Sequence, residues 1–353
     1  MSFPTHLVLW ILQLSCAVGS TPAQWTLTTA NAGWPAVKGF RVVKLDGEIM
    51  IMLGGLGSSV TTPQVWRSFD DGVAWSSVDV AVLDNIWDAR YNHAAIRRAD
   101  GGLLVLGGGA GSVDSLKNDV WLSTDQGATW SLLIANAGWS ERQVLGAVVR
   151  HDGVILVIGG ADPTCRSDVW TSSDGGSTWG QLSSSSAWGG RHSFAIVALP
   201  DSTLVLLGGI GGTQCRTPMN DVWISSDGGE QWTLLVSAAA WSARFEHSAT
   251  ASSDGRIWLA GGRIALAPAI AANDLWRSDN GGQLWIQIEA TAPWSARWAL
   301  GIVASSTGLF IVGGTSETSQ NDIFFSDVWR MEITAAPTLA PTSAPTLAPT
   351  AAP

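Results

Sequence analysis

Five arginines, Arg90, Arg142, Arg191, Arg244 and Arg297, each stand three residues after a tryptophan. A guanidinium grips a carboxylate with a planar two-pronged fork. An evenly spaced set of them is therefore either a ring for an acidic ligand or a set of internal ion pairs. Five aspartates, Asp119, Asp168, Asp221, Asp274 and Asp327, precede a Val/Leu-Trp pair at matching intervals. One further copy of the pattern carries Val37 in place of the arginine and Gln64 in place of the aspartate. Both partners vanish together, which favours structural salt bridges within each unit over a ligand-gripping ring.

The residue after the arginine position is Lys38, Tyr91, Gln143, His192, Phe245 or Trp298, large side chains with nothing in common. Where repetition marks scaffold, variation at one equivalent point marks a ligand site. These six, with Glu141 and Glu246, form the expected ligand-binding set. Glu141 and Glu246 also supply the two carboxylates that glycoside chemistry needs at minimum. His93, His192 and His247 offer imidazoles for a metal. The repeated Gly-Gly pairs are followed by neither a helix nor Lys-Ser/Thr, which excludes a phosphate loop, and no nucleophile elbow occurs. No catalytic residue, metal ligand or cofactor is assigned.

The chain around these residues repeats six times. An apolar run ends in Gly-Gly at 49–55, 102–108, 154–160, 203–209, 256–262 and 308–314. Each is followed by a Val/Leu-Trp pair and preceded by a tryptophan: Trp34, Trp87, Trp139, Trp188, Trp241 and Trp294, spaced 49 to 53 residues apart. Asp-Gly dipeptides at 46–47, 100–101, 152–153 and 254–255 mark hairpins between a first and a second strand. Each repeat reads as four strands, and six such units make an all-β, six-bladed β-propeller. The last repeat lacks a fourth strand. The N-terminal "QWTLTTANAGW" matches "TWSLLIANAGW" at 129–139, so the N-terminal strand is expected to close the last blade.

Five repeats also carry Ser, Asp/Asn, Gly and Trp in fixed order, as in Ser225, Asp227, Gly229 and Trp232. Such residues build tight turns, the carboxylate binding its own turn's backbone. This element resembles the Asp-box, or BNR, repeat of sialidases, and the Gly-Gly pair with "WSARFEH" at 241–247 resembles kelch repeats, as in galactose oxidase-like propellers. The resemblance spans residues 25–333. It implies the propeller fold and puts the Asp-box turns on the face opposite the usual site. It does not imply an enzyme. The sialidase arginine motif is missing, and Tyr91, the chain's only tyrosine, leaves a galactose oxidase copper site short of ligands.

Bulk properties bound the rest. A net charge of −10 argues against nucleic acid as a partner. Residues 1–19 read as a signal peptide with an apolar core from Leu7 to Val18, and residues 24–333 as the propeller. Residues 334–353, Pro/Thr/Ala-rich, read as a disordered tail. No later stretch suits a membrane span. Cys165 and Cys215 sit in matching loops and are expected to pair, as an oxidising compartment permits. The expected protein is a secreted monomer, a non-catalytic recognition module for a glycan or an extracellular protein. A glycan-active hydrolase or lyase at the same mouth is the alternative.

Overall fold

The computed structural model describes residues 24–57, 63–79, 85–110, 115–306, 308–317 and 321–333. The expected signal peptide and the Pro/Thr/Ala tail lie outside them, as does part of the long loops at 55–64 and 315–326. Six antiparallel sheets form the six blades of a propeller. We letter the strands A to D from the axis outward. Strand A runs over Arg41–Lys44, Ala94–Arg97, Gly146–Val149, Ala195–Ala198, Ser248–Ala251 and Gly301–Ala304 in blades 1 to 6. Each strand A neighbours the next, and Gly301–Ala304 returns to Arg41–Lys44, so the ring closes.

Strand B is the most apolar, and its first four residues are buried in every blade, from Met50–Leu53 to Leu309–Val312. Both of its faces meet protein, because each blade is sandwiched between two others. The core is accordingly split into six clusters, one between each pair of blades. Each contains one of the leading tryptophans, Trp34, Trp87, Trp139, Trp188, Trp241 or Trp294, all 5% exposed or less. Fully burying an aliphatic side chain is worth about 1.5–3 kcal/mol, so these wedges dominate the cohesion of the ring.

The sixth blade takes its D strand from the other end of the chain. Trp25–Thr29 pairs antiparallel with strand C of blade 6, Asp322–Met331. In blades 1 to 5 the tryptophan preceding strand D meets the leading tryptophan edge-on, as Trp130 meets Trp87 at 5.7 Å. In blade 6 Trp25 fills that place against Trp294, with ring centroids 4.4 Å apart. No helix among the described residues is long and apolar enough to cross a membrane.

Candidate functional site

The turns that look most like chemistry are fully occupied in holding themselves. At the C–D turns of blades 1 to 5 the serine hydroxyl accepts the glycine N–H and donates to the aspartate, or to Asn280 in blade 5, as Ser225 does with Gly229 and Asp227, both at 2.8 Å. The carboxylate then accepts the backbone N–H four residues on, Asp174 from Thr178 at 2.9 Å. The indole N–H closes the turn on the glycine carbonyl, Trp232 on Gly229 at 3.0 Å. Antiparallel order puts these turns and the A–B turns at one end of the ring. The B–C and D–A connections therefore form the opposite end, the mouth.

Near the mouth, all five arginines are buried and each holds its aspartate with two nitrogens. Arg142 reaches Asp168 at 2.7 and 2.8 Å, and Arg244 reaches Asp274 at 2.7 Å twice. The same guanidinium donates to the first carbonyl of the Gly-Gly pair, Gly107, Gly159, Gly208, Gly261 or Gly313. The aspartate in turn accepts the strand C indole, as from Trp223 at 2.7 Å. Burial works to raise the carboxyls of Asp168 and Asp274, but the hydrogen-bonded Arg142 and Arg244 outweigh it and hold them below the usual range. In blade 1 Trp66 donates instead to the Gln64 amide at 3.2 Å, and Val37 is buried. The indole keeps its acceptor without a charge.

The Gly-Gly pair is explained by close approach. Its second N–H donates to the arginine carbonyl of the next blade, as Gly108 to Arg142 at 2.9 Å. Both glycines have positive φ, and a Cβ on Gly54 would meet His93 Cε1 at 2.5 Å and the Arg90 carbonyl at 2.7 Å.

The six variable residues occupy equivalent backbone positions at the mouth, but the structure divides their side chains. Tyr91, Phe245 and Trp298 are only 7%, 4% and 5% exposed and present no open ring face. Arg263 lies over both Phe245 and Trp298. Lys38, Gln143 and His192 are partly exposed, and Glu141 is exposed. Lys38 pairs with Asp322 of the blade 6 B–C hairpin at 2.7 Å, and Arg263 of the blade 5 hairpin with Glu317 of blade 6 at 3.6 Å. Gln143 accepts from Asn92 at 3.3 Å, and His192, lowered to about 4 by burial, lies 2.9 Å from the Ser193 hydroxyl. A disulfide, Cys165–Cys215, ties the B–C loops of blades 3 and 4 together.

Glu246 stands apart from Glu141. It lines a cavity of about 200 Å³ on the propeller axis, below the rim. Burial raises its carboxyl above the ordinary range, against the pull of Arg263, Lys38 and Arg41. Of the two buried histidines, His247 adjoins Glu246 in the cavity lining and His93 does not. They stack beside Trp87 and Trp241 in the blade interfaces, where burial lowers His93 well below its usual range and His247 to about 3. Among the described residues no three His, Cys, Asp or Glu side chains come together to hold a metal.

Two features of the axis escape motif reading. The residue after each variable position, Gly39, Asn92, Val144, Ser193, Glu246 or Ala299, has φ between 49° and 72°. Its N–H donates to the equivalent carbonyl of the preceding blade, from Asn92 to Gly39 at 2.8 Å round to Ala299 to Glu246 at 2.8 Å. The second feature is Arg41, which lines the cavity where the other blades place Ala94, Gly146, Ala195, Ser248 and Gly301. Aligning the first residue of each strand A is the signal that would have found it: one large cation among five small side chains.

Comparison with known proteins finds no family model that matches the chain and no curated protein that is similar to it.

Proposed function

We propose that the chain is a secreted, non-catalytic recognition module of kelch-like and Asp-box-like character, acting as a monomer and binding an extracellular protein at the mouth of the propeller. The observation that carries this reading is the pair of B–C hairpins on blades 5 and 6. They raise Leu266, Ile270 and Ile323, 43%, 48% and 40% exposed, beside the charged Lys38–Asp322 and Arg263–Glu317 pairs. Exposed aliphatics within a polar rim suit a protein partner. A glycan would be served by open aromatic faces, and Tyr91, Phe245 and Trp298 have none. The disulfide across the mouth accords with an oxidising compartment. A hydrolase or lyase would bring carboxylates together, whereas Glu141 is exposed and Glu246 faces the axial cavity.

The test presents the full chain and its Leu266→Glu, Ile270→Glu, Ile323→Glu triple variant to an array of extracellular proteins and to a glycan array. Protein capture that the triple variant loses supports the reading. Glycan binding that the triple variant retains overturns it.

A further inference from the structure

Beneath the rim, the axial cavity holds two opposite charges that do not meet. Five of the six blades line its first layer with Ala, Gly or Ser, and those small side chains open the space. Blade 1 alone sends in a cation. Arg41 donates to the carbonyl of its own neighbour Phe40 at 2.9 Å, and desolvation lowers it to about 10. No carboxylate forms an ion pair with it among the described residues. Glu246 lines the same cavity from the adjoining layer, and its Oε2 is buried with no hydrogen-bond partner. The two feel each other's field without closing an ion pair. Arg41 and Glu246 are half-buried, and charges withdrawn from water in this way are costly unless something pairs them. A guanidinium takes a carboxylate on its free N–H edge, and a lone carboxylate takes an ammonium.

We propose that the axial cavity is a binding site for a small zwitterion of the α-amino-acid class, its carboxylate on Arg41 and its ammonium on Glu246. About 200 Å³ limits the ligand to a compact molecule or to one terminal residue of a chain. The site is separate from the protein-docking rim and does not depend on that reading.

Thermal shift and calorimetry on the full chain test it with L-alanine, propionate, propylamine and methyl α-glucoside as probes. L-alanine should raise the melting temperature and the two half-ligands should not. Arg41→Met and Glu246→Gln should each weaken L-alanine binding roughly tenfold to a hundredfold, the range for a charge-assisted hydrogen bond. Gly-Gly, carrying the same terminal charges farther apart, separates a free amino acid from a chain terminus; binding as tight as that of L-alanine would extend the site to peptide ends. An equal shift from propionate reduces the site to an anion pocket and overturns the proposal. A shift from the glucoside alone does the same. So does L-alanine binding that both variants retain. The probe comparison uses only the unaltered protein, so it decides even if a variant fails to fold. The rim triple variant should bind L-alanine unchanged, which keeps failure at the rim distinct from failure on the axis.

Discussion

Blade 1 and the other five blades share a fold but handle charge in opposite ways. In blades 2 to 6 a buried arginine is consumed by one aspartate and one glycine carbonyl, so it has nothing left for a ligand. Blade 1 replaces that clamp with Val37 and Gln64, and puts its arginine four residues later, on the axis, as Arg41. The ring of axial backbone hydrogen bonds runs from Gly39 through Ala299, and among the described residues it has no counterpart between Ala299 and Gly39. That seam is held by the cluster around Trp34 and Phe310 and by the Lys38–Asp322 pair. Regularity marks the parts that carry load, and the irregular blade is where charge is free to act.

The largest expected effect tests the seam itself. Removing Gln24 to Thr29 strips strand D from blade 6 and leaves the buried Trp294 without the half-buried Trp25; loss of a fully buried aromatic costs ~3–5 kcal/mol, and here a whole strand goes with it. Thermal unfolding followed by circular dichroism should show a fall of many degrees, and an unchanged midpoint would refute the closing role.

Next comes the clamp. Arg191→Met leaves Asp221 without its cation, with only the Trp223 indole still donating to it, and takes the guanidinium donor from the Gly208 carbonyl; it should cost about 3–5 kcal/mol in urea unfolding. The complementary change moves the clamp into blade 1. Val37→Arg alone buries an unpaired cation and should destabilise by several kcal/mol, of the order found for a broken buried pair. Adding Gln64→Asp should return stability to within ~1 kcal/mol of the original. A double variant no better than the single would mean that blade 1 differs in shape as well as in charge.

Smaller effects come from the buried histidines. His93 and His247 occupy a position that is Phe40, Leu145, Phe194 or Leu300 in the other blades. Their folded-state pKa values lie below the unfolded value, so the unfolded chain binds more protons. Their contribution is complete above pH 6.5 and declines as pH falls toward about 3 for His247. Urea midpoints measured from pH 7 to pH 4 should fall, and His247→Leu should flatten part of that slope. An unaltered slope would show that carboxylates such as Asp168 account for it.

Smallest of all is a turn. Asp174→Ala removes the carboxylate that accepts from Thr178 and should cost ~1 kcal/mol by urea unfolding, with no change at the mouth. A loss of partner binding in that variant would relocate function to the turn end.

Much of this was legible in the chain. The Gly-Gly runs counted the blades, and the match of residues 24–34 to 129–139 identified the closing strand. Both are local signals, because a strand's apolar pattern and a turn's glycines are needed wherever the unit occurs. The site was far less legible. Tyr91, Phe245 and Trp298 look like a ligand surface as letters, yet the fold buries them, Phe245 and Trp298 under Arg263. The axial ring was invisible for another reason. Positive φ usually announces itself as glycine, but Asn92, Val144, Ser193, Glu246 and Ala299 adopt it because a hydrogen bond to the preceding blade offsets the strain.

The six four-stranded units, their tight turns and the tryptophans between them follow from the order of amino acids, since period, turn chemistry and burial are properties of short segments. The pairing of the five arginines with their aspartates was already visible in the repeats, but the charges left unpaired on the axis emerge only from the closed ring. Arg41 and Glu246, more than two hundred residues apart in the chain, face one cavity only because the ring closes and brings blades 1 and 5 to a common axis.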